Sequence, residues 1–348
     1  MKKAKLVLLA MALIPSLLAY AGGSKDASAG APANAPASDN NKAITIVVGE
    51  SGSELTANAK GEIAFKDYVE KASNGRIKAE LYFNAQLGGD RELLESTQIG
   101  QVTMMATGLT QHTNFVPELT AMDAPFLYDT EDQVYKLFQD NEFSAMINKL
   151  YESKGYHFVG MYFQGFRTLT SNRQVRTVAD CRNMSIRVIQ APTPIALWKA
   201  LGTNPTPLAF PEVYTALQQG LVEAQENPYE LIYSQKFYEQ QKYVIDTNHQ
   251  IQPILMVMNL AFYKGLPDDM RKVVDDGFAA CFKVIRDYID TNTALFVKTM
   301  KDSGCTFIQL TPDARAEFKA RTADVRADLA KQYPDFYKVL EGALARIK

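Results

Sequence analysis

From about Asp268 to Ser303 the chain runs without a proline, and Val274, Phe278, Cys281, Ile285, Ile289, Asn292 and Phe296 recur at spacings of three and four. That rhythm puts them on one stripe of a helix. Asp268 and Asp269 stand where the helix dipole is positive, Lys298 and Lys301 where it is negative, and Gly304 is a natural stop just past the end. Roughly 34 residues at 1.5 Å each make a helix of roughly 50 Å, longer than a small domain is wide. Such a helix either protrudes or runs across two domains. The 348 residues suffice for about two domains. With 47% apolar and 22% charged residues there is material for two cores, which excludes disorder throughout. A helix bridging two domains is the economical arrangement.

The rest of the chain alternates strand and helix signals. Ile44–Val48 is a β-branched run, and Phe65, Tyr68, Val69 and Ala72 follow at helical spacing up to Asn74-Gly75. Ile77, Ala79, Leu81 and Phe83 alternate with Lys78, Glu80 and Tyr82, as a half-buried strand does. Strand, helix and strand in about 40 residues open a parallel α/β sheet. Further helices are predicted over Asp90–Gly100 and Glu131–Lys154, with strands at Val102–Ala106 and His157–Tyr162. A second set follows: strand Ser185–Val188, helices Pro194–Leu201 and Pro211–Gln219, and strand material around Ala224–Glu226.

Lys2, Lys3 and Lys5 precede an apolar run from Leu6 to Ala21 that is too short to span a bilayer and ends in the small-x-small sequence Ala19-Tyr20-Ala21. Residues 1–21 therefore read as a secretory signal peptide cleaved before Gly22, with an uncleaved membrane anchor as the rival reading. Residues 22–42, almost all Gly, Ala, Ser, Pro, Asn and Asp, read as a flexible linker. The chain holds 37 basic and 39 acidic residues, a net charge of −2, so nothing in its charge balance argues for nucleic acid or an anionic membrane. Cys181, Cys281 and Cys305 are odd in number, which leaves at least one thiol unpaired. Cys281 and Cys305 lie 24 residues apart, roughly 36 Å along a helix and out of disulfide reach. A Cys181–Cys305 bridge stays open, beside the reading of all three as small buried thiols.

The sequence contains no G-x-G-x-x-G, no G-x-x-x-x-G-K-[ST], no G-x-S-x-G and no H-E-x-x-H. His112, His157 and His249 are its three histidines, a poor supply for a metal site. An enzyme reading has no motif to stand on, and neither a metal nor a cofactor is expected.

Ordered blocks then carry a resemblance: Gly165-Phe166-Arg167, Thr170-Ser171-Asn172-Arg173, Ile186-Arg187-Val188, Leu201-Gly202-Thr203-Asn204-Pro205, Phe210-Pro211-Glu212-Val213-Tyr214 and Gln225-Glu226-Asn227-Pro228. Gln86-Leu87-Gly88 and Asn114-Phe115-Val116-Pro117-Glu118-Leu119 add to them. Together they resemble the extracytoplasmic solute-binding subunit of TRAP (tripartite ATP-independent periplasmic) transporters, over essentially residues 43–340. The resemblance implies a two-lobed α/β fold like that of periplasmic binding proteins, with a ligand cleft between lobes and a long helix spanning both. It places lobe I at residues 43–164 plus 253–290 and lobe II at 165–252 plus 291–348. It implies a periplasmic location, no catalysis, and two partners: a small carboxylate ligand and the TRAP membrane permease.

Arg187 resembles the arginine that grips the substrate carboxylate with two prongs. A planar guanidinium matches both oxygens and stays charged out of water. Arg167 and Asn227 match the positions that complete this clamp, whereas Arg173 reads as structural. Glu50, Gln190, Phe210 and His249 match cleft positions of the sialic-acid-binding member. Phe210 reads equally well as core, His249 as a satisfied structural histidine, and Trp198 as packing. Thr107 and Gly89 stand where that member has acidic residues, which counts against sialic acid. The expected ligand is an organic acid, a sugar acid ahead of a C4-dicarboxylate or keto acid. Docking on a sensory receptor in place of a permease is the alternative use of the same fold.

Overall fold

In a computed structural model, residues 43–347 are described; the signal-peptide and linker segments, 1–21 and 22–42, lie outside them. The described residues form one sheet of nine strands: β1 (Ile44–Gly49), β2 (Ile77–Tyr82), β3 (Met104–Gly108), β4 (Tyr156–Ser171), β5 (Ser185–Val188), β6 (Asn204–Pro207), β7 (Ala224–Asn227), β8 (Tyr243–Asn259) and β9 (Thr306–Ile308). Their order is β2-β1-β3-β8-β4-β7-β5-β6, with β9 against the start of β8. Two parallel sets, β2-β1-β3 and β7-β5-β6, flank the long antiparallel pair β4 and β8. The two lobes are thus halves of one sheet joined by two shared strands.

The shared strands are irregular at their middle. Phe163 pairs with Pro253 and Phe166 with Ile251, so β4 carries one extra residue there, beside Gly165 at φ +139°. Such a bulge bends the strand and re-aims its side chains. Gln164 and Arg167 sit on either side of Gly165, and both point into the cavity described below. The proposed division of the chain at 164/165 and 252/253 falls at this irregularity.

Each half packs helices on both faces, and strand alternation sorts the side chains between them. On one face of the first lobe Ile46, Val48, Met104, Met256 and Met258 meet Phe65 and Val69 of the helix Ala57–Ala72. On the other face Met105, Leu255 and Val257 meet Leu93, Phe143 and Tyr151. The second lobe buries Leu169, Ile186, Val188 and Trp198 on one face and Val213, Ile232, Phe237 and Val244 on the other.

The long helix runs from Asp268 to Asp302, with Gly304 at φ +96° just beyond it. Its Met270, Val274, Phe278, Cys281 and Ile285 belong to the first lobe's core, its Phe296 and Met300 to the second's. One element therefore ties both lobes together. It lies close against the helix Ala57–Ala72 because Gly61 and Gly277 face the contact: a Cβ on Gly61 would stand 2.5 Å from Ile285 Cδ1, and one on Gly277 2.7 Å from Val69 Cγ1.

Three expectations are corrected. The helix expected over Glu131–Lys154 is two helices, Glu131–Gln139 and Asn141–Ser153, because Asp140 is extended and its carboxylate caps the second by accepting from Phe143 N at 3.0 Å. The strand expected to end at Tyr162 continues to Ser171. The C-terminal segment 291–348 is not confined to one lobe. Phe318 packs in the second, while Phe336, Leu340 and Ala343 of the helix Pro334–Arg346 return to the first beside Phe143. All three cysteines are unpaired and buried. Among the described residues no helix is long and apolar enough to cross a membrane, and no group of three His, Cys, Asp or Glu side chains is placed to hold a metal ion.

Candidate functional site

A cavity lies between the lobes, at the carboxyl ends of β1, β3, β5 and β7, where open α/β sheets expose their ligand sites. The first lobe contributes Glu50 and Ser51 after β1, Asn58, Asp90, Thr107 and Gln111. The second contributes Arg187 from β5, Asn227 from β7, Phe210 and Leu231, and the shared strands contribute Gln164, Arg167, Gln252 and Ile254. The lobes are closed on it. Asn114 Nδ2 donates to Gln190 O at 3.1 Å, Gln235 Nε2 to Ser53 Oγ at 3.1 Å, and Ala57 N to Glu230 Oε1 at 3.0 Å.

Arg187 and Arg167 are each 1% exposed, and their surroundings differ. Arg187 donates from Nε (3.1 Å) and Nη2 (2.8 Å) to one neutral acceptor, Leu208 O. Its Nη1 has no partner, and the Phe210 ring lies 5.9 Å from Cζ. Burial pulls its pKa down to about 10, so the group stays cationic at neutral pH. Arg167 is paired. Its Nε and Nη2 bond both carboxylate oxygens of Glu226, Nη2 to Oε1 at 2.9 Å, and Nη2 also reaches Asn227 Oδ1 at 3.2 Å. Its Nη1 is likewise buried without a partner. Burial would raise Glu226, but Arg167 and His249 outweigh it and hold the carboxyl at about 2.

His249 does not line the cavity. It sits behind Arg167, fully buried, with Nε2 3.0 Å from Glu226 Oε2 and Nδ1 2.8 Å from Thr247 Oγ1. Burial lowers its pKa. An ionised Glu226 can only accept, so the proton of the neutral ring is on Nε2. The ring's place is to hold the Arg167–Glu226 pair. Gln190 is also outside the lining, and its backbone carbonyl serves the closed rim instead. Trp198 is core, its ring edge-on to His249 at 5.1 Å. Arg173 bonds Glu223 Oε1 at 2.6 Å and Arg182 O at 2.9 Å, away from the cavity. Of the seven residues expected at the site, the structure brings Arg187, Arg167, Asn227, Glu50 and Phe210 together in the cavity wall.

The opposite wall is acidic and amide-rich, and most of it was not anticipated. Glu50 accepts from Gly52 N at 2.6 Å and Asn58 Nδ2 at 3.0 Å. Burial, with Asp90 adding to it, pushes Glu50 up to about 8. Asp90 accepts from Ser51 Oγ at 2.7 Å, and burial raises it as well. Gln164 donates to Glu230 Oε2 at 2.7 Å and accepts from Gln252 at 3.1 Å. Asp90, next to the non-acidic Gly89, had one local signal: it opens a helix directly after Gly88-Gly89. Gln252 had none, since its strand was not foreseen.

Comparison with known proteins accords with this geometry. Residues 48–332 match the family described as bacterial extracellular solute-binding protein, family 7. A solute-binding protein of Verminephrobacter eiseniae is 34% identical over 270 residues, 77% of this chain and 80% of its own. The C4-dicarboxylate-binding periplasmic protein DctP of Rhodobacter capsulatus is 30% identical over 279 residues, 80% of this chain and 84% of its own. The crystal structure of a TRAP periplasmic solute-binding protein from Roseobacter denitrificans with bound L-galactonate superimposes with a TM-score of 0.79 at 28% identity, covering 86% of this chain and 99% of that one. The chain belongs to bacterial extracellular solute-binding protein family 7, the solute-binding subunits of TRAP transporters.

Proposed function

We propose that this protein captures a hydroxylated monocarboxylic acid, a sugar acid, outside the cytoplasm and hands it to a TRAP-type membrane permease. The observation that carries the reading is Arg187: a buried guanidinium that meets only a neutral carbonyl and keeps one nitrogen unpartnered in the cavity wall. An unpaired buried charge is costly, and a ligand carboxylate relieves that cost through charge-assisted hydrogen bonds. Arg167 Nη1 and Asn227 extend the same wall.

Charge bookkeeping favours one carboxylate over two. Arg167 and Arg187 are the cavity's two cations, and Glu226 neutralises the first. A second carboxylate would find no further cation in the lining and would face Asp90, whereas hydroxyls find acceptors and amide donors in Asp90, Asn58, Gln111, Gln164 and Gln252. The C4-dicarboxylate reading keeps its support in the Rhodobacter relative's name. The bulge of β4 at Phe163/Phe166 serves as the hinge about which ligand draws the lobes together, a population shift that the permease would read.

A thermal-shift comparison of L-galactonate with succinate tests the choice. An acid at 100 times its dissociation constant adds about 2.7 kcal/mol. Stabilisation by L-galactonate and not by succinate is expected, and the reverse result would restore the dicarboxylate. Small-angle scattering should show a smaller radius of gyration in the bound form.

A further inference from the structure

Glu230 is a buried carboxyl that the carboxylate clamp does not use. It sits on the short helix Tyr229–Ser234 of the second lobe, 2% exposed, and has no salt-bridge partner among the described residues. Its Oε1 accepts from Ala57 N at 3.0 Å, the first residue of the helix Ala57–Ala72 in the first lobe. Its Oε2 accepts from Gln164 Nε2 at 2.7 Å, beside the β4 bulge. The N-terminal amides of a helix lack partners within it and favour an acceptor, above all an anionic one. Thr56, the cap of that helix, serves Ala59 N and leaves the Ala57 amide to Glu230. Beside this bond Gln235 Nε2 reaches Ser53 Oγ at 3.1 Å, and Tyr288 OH of the long helix reaches Leu55 O at 3.2 Å. The segment 53–57 is thereby clasped by the second lobe and the long helix.

We propose that Glu230 is a positioning residue for solute capture: an interlobe latch that caps the helix Ala57–Ala72 from the opposite lobe and holds the closed form. This rests on the solute-capture reading. The bond to Ala57 N spans the lobes, so opening the cleft breaks it, and its contribution appears in how slowly a captured acid leaves. Gln164 couples the latch to the site, since it lines the cavity, bonds Glu230 and accepts from Gln252.

The test compares wild type, Glu230→Ala, Glu230→Gln and Arg187→Ala by stopped-flow binding of L-galactonate and of succinate. A buried hydrogen bond of this kind is worth up to roughly a factor of ten in an equilibrium. Glu230→Ala should release the bound acid about tenfold faster at an unchanged association rate. Glu230→Gln keeps an oxygen facing Ala57 N but turns an NH2 towards the Gln164 donor, so its release rate should fall between those of wild type and Glu230→Ala. An unchanged dissociation rate in Glu230→Ala, with binding still abolished by Arg187→Ala, overturns the latch alone. A lowered ligand-free melting temperature without a faster release also overturns it, as an ordinary structural contact. If neither acid binds wild type, the capture reading has failed, and hydrogen exchange at the Ala57 amide decides the latch. Slower exchange in wild type than in Glu230→Ala supports it, and equal rates overturn it.

Discussion

Arg187 and Arg167 are equally buried, and their partners assign them different consequences. Arg187 has no carboxylate partner, so its truncation leaves no protein anion stranded and the fold should survive. What suffers is the bound acid, whose principal partner is gone: Arg187→Ala should cost about 2–5 kcal/mol of binding, roughly 30- to 4,000-fold in affinity. Arg187→Lys should also weaken binding, because an ammonium cannot reproduce the planar contact. Arg167→Ala removes the counter-charge of a fully buried Glu226. It should destabilise the fold by about 3–5 kcal/mol before any effect on affinity can be read. Calorimetric titration and urea unfolding of the two variants check the contrast. Wild-type affinity in a folded Arg187→Ala would remove the clamp, and wild-type stability in Arg167→Ala would remove the distinction between them.

Among the elements, those whose evidence is local were legible and those that depend on distant pairing were not. The long helix and β5 carry their own periodicity or β-branched runs, and both fall where the sequence places them. The strand β8 escaped notice because Asp246, Asn248 and Gln250 interrupt its apolar pattern and Pro253 argues against a central strand. It tolerates Pro253 next to the β4 irregularity, and it bulges around Asn248 at φ +42°. The helix pair of Ala57–Ala72 and Asp268–Asp302 makes its own prediction. Gly61→Ala puts a methyl carbon 2.5 Å from Ile285 Cδ1 and 2.8 Å from Cys281 Sγ, both in the first lobe's buried core. Overpacking of this kind costs about 1–3 kcal/mol, against the smaller gain in helix propensity. Chemical denaturation should show the loss, and a more stable Gly61→Ala would mean that the two helices are not in close contact.

At the scale of the whole molecule, folding buries carboxyls that an unfolded chain leaves in water. Burial raises Glu50 to about 8, and Glu230 and Asp123 to about 7. The folded protein thus holds protons that the unfolded chain has already released, and on this account stability falls as pH rises from about 4.5 to about 8. Burial lowers His112 to about 3 and lowers His249 and His157 as well, which acts in the opposite sense but only below histidine's unfolded value of 6.5. Between about pH 6.5 and 8 the carboxyls outweigh the histidines. The melting temperature should therefore decline across that window, and Glu50→Gln should flatten the decline. Thermal scans at the two ends of the window check both statements, and equal melting temperatures in wild type would show that these carboxyls are not buried in the way described. Glu226, held at about 2, adds stability that is present above the ordinary carboxyl value and lost only as pH falls towards 2.

The order of elements, the bridging helix and the placing of Arg187 on a buried strand all follow from patterns a few residues long. Side-chain period and backbone preference act over that range, which is why they could be read directly. The pairing of Arg167 with Glu226 joins residues 59 apart, and the return of Phe336 to the first lobe joins the chain's end to its first half. The acidic far wall, the place of His249 behind the clamp and the capping of Ala57 by Glu230 have the same character. Each is settled by which buried polar group finds which distant partner once the sheet has closed, and local spacing carries no trace of that choice.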